Sequence, residues 1–430
     1  MNDFLREPPQ MQFALWKLGY RAFFFVAILA GVALIGLWTI VYSTKLSPTN
    51  YYEPIGWHGH EMLFGFAVAV MAGYLLTLSE SWSGTQRKKG SVLLLLVLVW
   101  AAGRISPLVP DMPPAFIAFI DVVFLPLLAL VFTPQRIAKV RFHYNFVFLC
   151  LWLMTLANML IHAQILGILE NSAEPGQGLM LYLMLLMVVV LGSQVSAQQV
   201  HYSATEKRIT LLSVLAMTAF SIVVVSVPDP LILAVMALIT ALVFASRIFV
   251  WRLDKQQSPM MWALYNAYIW IVMGFVLYSL SAYGYVQEVL CLHAFTVGGL
   301  GTMSVIIMMH MTLNNRPPRP KTEPVSFSDS PRSITYFAIA IIVVINLAAI
   351  SRVFIPIFNQ QTYSGLILVS SLFWVLTFVL LFLRLAPALT FARADEAPLP
   401  KSAAAPAAAP DTKTGSSTAT VANKPKQATS

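Results

Sequence analysis

The sequence predicts an all-α, polytopic membrane protein of about 12 transmembrane helices with both termini in the cytoplasm. Three observations predict it. Hydrophobic residues make up 58% of the chain and charged ones 10%, with a mean hydropathy of +0.75, which excludes an ordinary soluble domain. Twelve apolar segments reach the length of about 20 residues that an α-helix needs to cross hydrocarbon. Lysine and arginine sort by alternate loops, as the positive-inside rule requires of an even number of crossings.

Residues 1–19 read as a cytoplasmic N-terminal segment, with Arg6 and Lys17 flanking the interfacial Trp16. The first helix follows, from about 23 to 42; it is too long, and too poor in small residues at its end, to be a cleaved signal peptide. The spacing of apolar runs predicts further helices over 61–79, 91–109, 114–133, 144–169, 179–199, 209–227, 231–250, 260–284, 289–313, 333–356 and 364–386. The domain therefore spans 20–390. Residues 391–430 change to Ala, Pro, Lys, Thr and Ser and predict a disordered cytoplasmic tail.

Of the 27 lysines and arginines, only Lys45, Arg104 and Arg352 fall on the side opposite the termini. The net charge of +9 is thus a topology signal, and no pattern points to nucleic acid. Cys150 and Cys291 both lie in apolar segments, so no disulfide framework is implied.

Chemistry concentrates in Trp57-His58-Gly59-His60-Glu61-Met62, where two imidazoles and a carboxylate stand at a membrane boundary. Ligating groups beside a membrane helix are costly and read as functional. Topology puts His162 and His293 in the same outer half, so four of the seven histidines share it, while His143, His201 and His310 sit near cytoplasmic helix ends and read as structural. Haem or copper sites need imidazole or sulfur ligands on rigid elements. Candidates nearby are Glu61, Met62, Asn158, Met159 and Cys291, with Asp121 as an intramembrane carboxylate that serves either as structure or as a proton relay. Arg104 and Arg352 are placed either for haem propionates or for anchoring the outer interface. Gly298, Gly299 and Gly301 clear one helix face for a flat ring or for a neighbouring helix.

Leu18-Gly19-Tyr20-Arg21-Ala22-Phe23-Phe24, the Trp57–Phe66 stretch, Gly103-Arg104, Ala157-Asn158-Met159-Leu160-Ile161-His162 and His293-Ala294-Phe295-Thr296-Val297-Gly298-Gly299-Leu300-Gly301-Thr302-Met303 together resemble the NnrS family. The resemblance runs from near residue 18 to about 386. It implies a haem- and copper-containing bacterial inner-membrane protein associated with nitric oxide metabolism and resistance to nitrosative stress. A fainter resemblance is to the catalytic subunit of haem-copper oxidases, which implies His58 and His293 as axial ligands of a haem b. That leaves His60, His162 and Cys291 for copper, Glu61, Met62 and Asp121 around the ligands, and Arg104 with Arg352 for the propionates. The expected partners are membrane lipids, nitric oxide or a related small molecule, and an electron donor of unknown identity. A secondary transporter of a proton-coupled solute or metal cation, using the outer histidines, is the rival reading; an assembly partner for another metalloprotein is a third.

Overall fold

Among the described residues, twelve helices are long and apolar enough to cross a bilayer. The structure is a computed structural model that describes residues 11–83, 89–132, 142–197, 204–227, 229–250, 259–314, 331–358 and 363–393. The helices are α1 (Gly19–Thr44), α2 (Pro54–Leu78), α3 (Ser91–Leu108), α4 (Pro114–Phe132), α5 (Asn145–Ile165), α6 (Ala173–Leu191), α7 (Lys207–Ser226), α8 (Pro230–Val250), α9 (Trp262–Ser281), α10 (Glu288–Leu313), α11 (Arg332–Phe358) and α12 (Tyr363–Thr390). The chain is therefore an all-α, multi-pass membrane protein, as its composition predicts. The residues beyond 393 and His201 lie outside the described residues.

Burial sorts the helices into centre and periphery. In α2, 89% of the apolar window is buried inside the protein, against 28% in α7, so α2 is a core element and α7 offers most of its surface to lipid. Around α2 pack α1, α3, α6 and α10, and α10 in turn contacts α9 and α11. Small residues permit the close approaches, as expected where helices associate by packing rather than by exclusion from water. A Cβ on Gly73 of α2 would meet the Phe24 ring at 2.8 Å, and one on Gly31 of α1 would meet Phe378 of α12 at 2.9 Å.

Two short strands join the ends of the bundle. β1 (Met11–Phe13) pairs antiparallel with β2 (Phe391–Arg393), and Ala14 N–H donates to the Thr390 carbonyl. Arg21, buried at the start of α1, donates to the Phe391 carbonyl at 3.2 Å. Both ends of the helical domain thus lie on one face. Residues 391–393 and 11–13, read from sequence as parts of the tail and of the N-terminal segment, pair in this ladder.

One helix start also differs. The apolar run suggests that the second helix begins at residue 61, whereas α2 begins at Pro54, whose fixed φ and missing N–H suit the first helical position. His58 and His60 consequently sit inside a helix rather than in front of it.

Candidate functional site

α2 carries its two histidines two residues apart, and at about 100° per residue such a pair points to opposite faces of the helix. One short string therefore feeds two separate groups. Immediately after His60 the helix widens into a π segment, Glu61–Ala67, before resuming as an ordinary α-helix. The same device follows His293 in α10, where Ala294–Gly301 is a π segment. Such segments alter the register of a helix end relative to its body and occur often at functional sites.

The His60 group is assembled from α2, α3, α4 and α5. His60 Nε2 lies 3.1 Å from Asp121 Oδ2 and 3.0 Å from Asn158 Oδ1, and His162 Nε2 lies 2.9 Å from the same Asp121 oxygen. Asn158 donates to that oxygen at 3.0 Å. The opposite ring nitrogens are held too: His162 Nδ1 is 2.7 Å from the Tyr51 hydroxyl, and His60 Nδ1 is 3.3 Å from Glu61 Oε1. Arg104 reaches from α3 between the two carboxylates. Its Nε stands 2.9 Å from Glu61 Oε2, an ion pair outside hydrogen-bond angles, and its Nη2 pairs with Asp121 Oδ1. His60, Glu61, Asp121, Asn158 and His162 are all buried. Charges this far from water must be paired, and these are. Ligand atoms of His60, Asp121 and His162 lie within 4.8 Å of one another, a group that could hold a metal ion.

Two tyrosines of the α1–α2 loop roof this group. The Tyr52 ring lies 4.9 Å from the His60 ring, and Tyr51 meets Tyr52 edge to face at 4.8 Å. Burial pushes both hydroxyls well above the ordinary phenol range, and for Tyr52 the Glu61 carboxylate adds to the effect. Both are therefore protonated near neutral pH.

The His58 group faces the other way. Its ring stacks on Trp38 of α1 at 4.3 Å and 17°. Arg352 of α11 lies within electrostatic range of both His58 and His293, and the two histidines lie within range of each other. His293 Nδ1 donates to the Val289 carbonyl at 2.6 Å, which leaves the Nε2 lone pair free. Arg352 lies over the Tyr363 ring at 5.1 Å, and among the described residues its Nη1 is buried without a hydrogen-bond partner.

Other residues singled out in the sequence fall elsewhere. Cys291, two residues before His293, takes the opposite face of α10; its neighbours are the Gln287 carbonyl, Ser281 and Glu288, and it is not in the group formed by His60, Asp121 and His162. Met159 is 52% exposed and faces away from the site, while Met62 is half-buried. The glycine face of α10 receives helices rather than an open slot: a Cβ on Gly298 would meet Trp270, on Gly299 Ile271 and on Gly301 Trp374, each under 3 Å. Of the two arginines expected to act together, Arg104 is engaged by Glu61 and Asp121, and Arg352 lies over Tyr363. Sequence reasoning missed Tyr51, Tyr52 and Trp38, and it had Gly65 and Gly103 only as letters of the family motifs, without their role. A Cβ on Gly65 would stand 3.0 Å from Arg104 Cδ and 3.1 Å from Glu61 Oε2. For the three aromatic residues, proximity of Tyr51-Tyr52 to the histidine string was the one signal available.

Fold and site define a multi-pass helical membrane protein with a buried histidine–carboxylate centre and a second histidine pair at the same end of the bundle. Residues 14–393 match the family described as NnrS protein, and the chain belongs to the NnrS family. Membership makes it a membrane protein related to nitric oxide. No curated protein matches the sequence closely.

Proposed function

We propose that the protein is a haem- and copper-binding protein of the bacterial inner membrane that acts on nitric oxide or protects against it, with its termini in the cytoplasm and both histidine groups toward the periplasm. The observation that carries this reading is His293, anchored through Nδ1 on a turn of α10 that packs against α11, the helix of Arg352. His293 would hold the haem, since its Nδ1–H is anchored on the Val289 carbonyl and its neutral imidazole presents Nε2. A propionate needs a cation, and the buried Nη1 of Arg352 lacks a partner among the described residues. Arg352 alone fits this role, since Arg104 already neutralises two carboxylates. For copper, His60 and His162 present imidazole nitrogens from separate helices, each with an outer partner of the kind that fixes a ligand ring.

When bound, the two groups supply one-electron redox chemistry. The chain's own residues orient the rings, hold counter-charges and keep water out. Trp38 fixes the plane of His58, and Tyr51 and Tyr52 cover the His60 group. The electron donor is a separate partner on this reading.

Absorption spectroscopy of the detergent-purified chain tests it. The wild type should carry a haem band that His58→Ala and His293→Ala abolish or shift from a six-coordinate to a five-coordinate form. A band unchanged in both variants overturns the axial assignment. Colourless, metal-free wild-type protein after gentle purification would favour the transporter.

A further inference from the structure

We propose that Asp121 is a direct metal ligand, completing with His60 and His162 a two-histidine, one-carboxylate site for a divalent first-row ion that keeps a coordination position open to a small anion. This rests on the reading of His60 and His162 as metal ligands; it is independent of the haem.

Asp121 reads from sequence as a polar residue near the ligands, yet its Oδ2 is the atom on which both Nε2 atoms converge, at 2.9 and 3.1 Å. Donors about 2.1 Å from one ion and at right angles to each other are about 3.0 Å apart, so these separations already suit ligation. Three helices, α2, α4 and α5, contribute one donor each, which fixes the triangle by the packing of the bundle rather than by a loop. Arg104 holds Asp121 Oδ1, so the carboxylate is restricted to binding through Oδ2 alone. Asn158 donates to one lone pair of Oδ2 and leaves the other for the ion. Tyr51 and Glu61 hold the far nitrogens of the two imidazoles, as outer partners do in built metal sites.

Donor type selects the ion. Two imidazoles and a carboxylate, with no sulfur in the group, suit Cu²⁺, Zn²⁺ or Fe²⁺ over the softer Cu⁺. Charge then selects the remaining ligand. Arg104 against Glu61 and Asp121 leaves one net negative charge in a buried space. A divalent ion turns this into one net positive charge, which a monoanion such as hydroxide or azide at the open position cancels.

Full-length protein in detergent, loaded with Cu²⁺ and examined by metal analysis and electron paramagnetic resonance, tests the proposal, with the haem band recorded on the same samples. The wild type should hold one Cu²⁺ with couplings to two imidazole nitrogens, and azide should shift its spectrum. Outer partners alone are worth about 10–100-fold in affinity, so Asp121→Asn should weaken Cu²⁺ by ~100-fold or more. The haem band should stay unchanged, which separates failure of this site from failure of the haem assignment. His162→Gln, which leaves the Arg104–Asp121 pair in place, should remove one imidazole coupling. Wild-type affinity in Asp121→Asn, fewer than two imidazole nitrogens in the wild-type spectrum, or loss of copper only in Cys291→Ser would each overturn the assignment.

Discussion

A Cβ placed on Gly103 would stand 2.8 Å from Asp121 Oδ1, closer than a Cβ approaches a non-bonded atom. The bare backbone of α3 therefore makes the space in which the α4 carboxylate meets Arg104, one residue further on. Gly103→Ala should force Asp121 aside and cost about 1–3 kcal/mol, the range for overpacking a close-packed interior. Thermal unfolding in detergent measures it. In an Asp121→Ala background the penalty should shrink, because the atom met by the new methyl is gone; equal penalties in both backgrounds would show that Gly103 serves another neighbour.

Arg104 is shared by two buried carboxylates, Glu61 and Asp121. Replacing it with Gln leaves Glu61 and Asp121 uncompensated, and breaking a buried pair from one side costs about 3–5 kcal/mol. Arg104→Lys should recover only part of that, since a point charge cannot reach Glu61 through one nitrogen and Asp121 through another. Denaturation midpoints of the three proteins should fall in the order wild type, Lys, Gln. A Gln variant as stable as wild type would mean that the two carboxylates are not jointly charged.

The fold was legible because membrane helices obey one strong constraint, an apolar run of sufficient length, and α8 and α10 begin within one residue of the predicted positions, at Pro230 and Glu288. The start of α2 was not legible, since the polar string Gly56-Trp57-His58-Gly59-His60 hides a helix that is buried in protein rather than in lipid. The four outer histidines were visible as a set because histidine is rare in this chain. Their division into His58 with His293 and His60 with His162 was implied by the oxidase resemblance, and its geometric reason, the two-residue spacing on one helix, appears once α2 is known to begin at Pro54. Asp121 stands 61 positions from His60, beyond any local pattern, and its convergence with His162 depends on the packing of α4 against α5. The widened turns after His60 and His293 left no trace in composition.

Tyr51 holds His162 from outside the helices, and burial keeps its hydroxyl protonated well beyond the ordinary phenol range. Tyr51→Phe removes that bond and leaves the ring packing, so Cu²⁺ affinity should fall by about 10–100-fold with no change in the haem band. Because the raised phenol pKa keeps the same protonation state on both sides of neutrality, the ratio of wild-type to variant affinity should be constant from about pH 6 to 9. A ratio that declines toward pH 9 would mean that Tyr51 ionises there and that its environment is wetter than the structure has it.

The π segment Glu61–Ala67 makes the sharpest demand on chain length. Removing one residue from it should restore an ordinary α-helix through α2, turning Pro54–His60 by about 100° and drawing it in by about 1.5 Å relative to Val68–Ser83. His58 would then leave Trp38 and the Arg352 side, and His60 would leave Asp121. Deletion of Met62, which is only half-buried, should therefore lower haem and copper content together, whereas Met62→Leu, keeping the residue count, should retain both. Haem absorption and metal analysis report the site, and size-exclusion behaviour with helical circular dichroism reports whether the bundle still forms. A Met62 deletion that stays folded with both groups fully loaded would show that the register of α2 does not position its histidines.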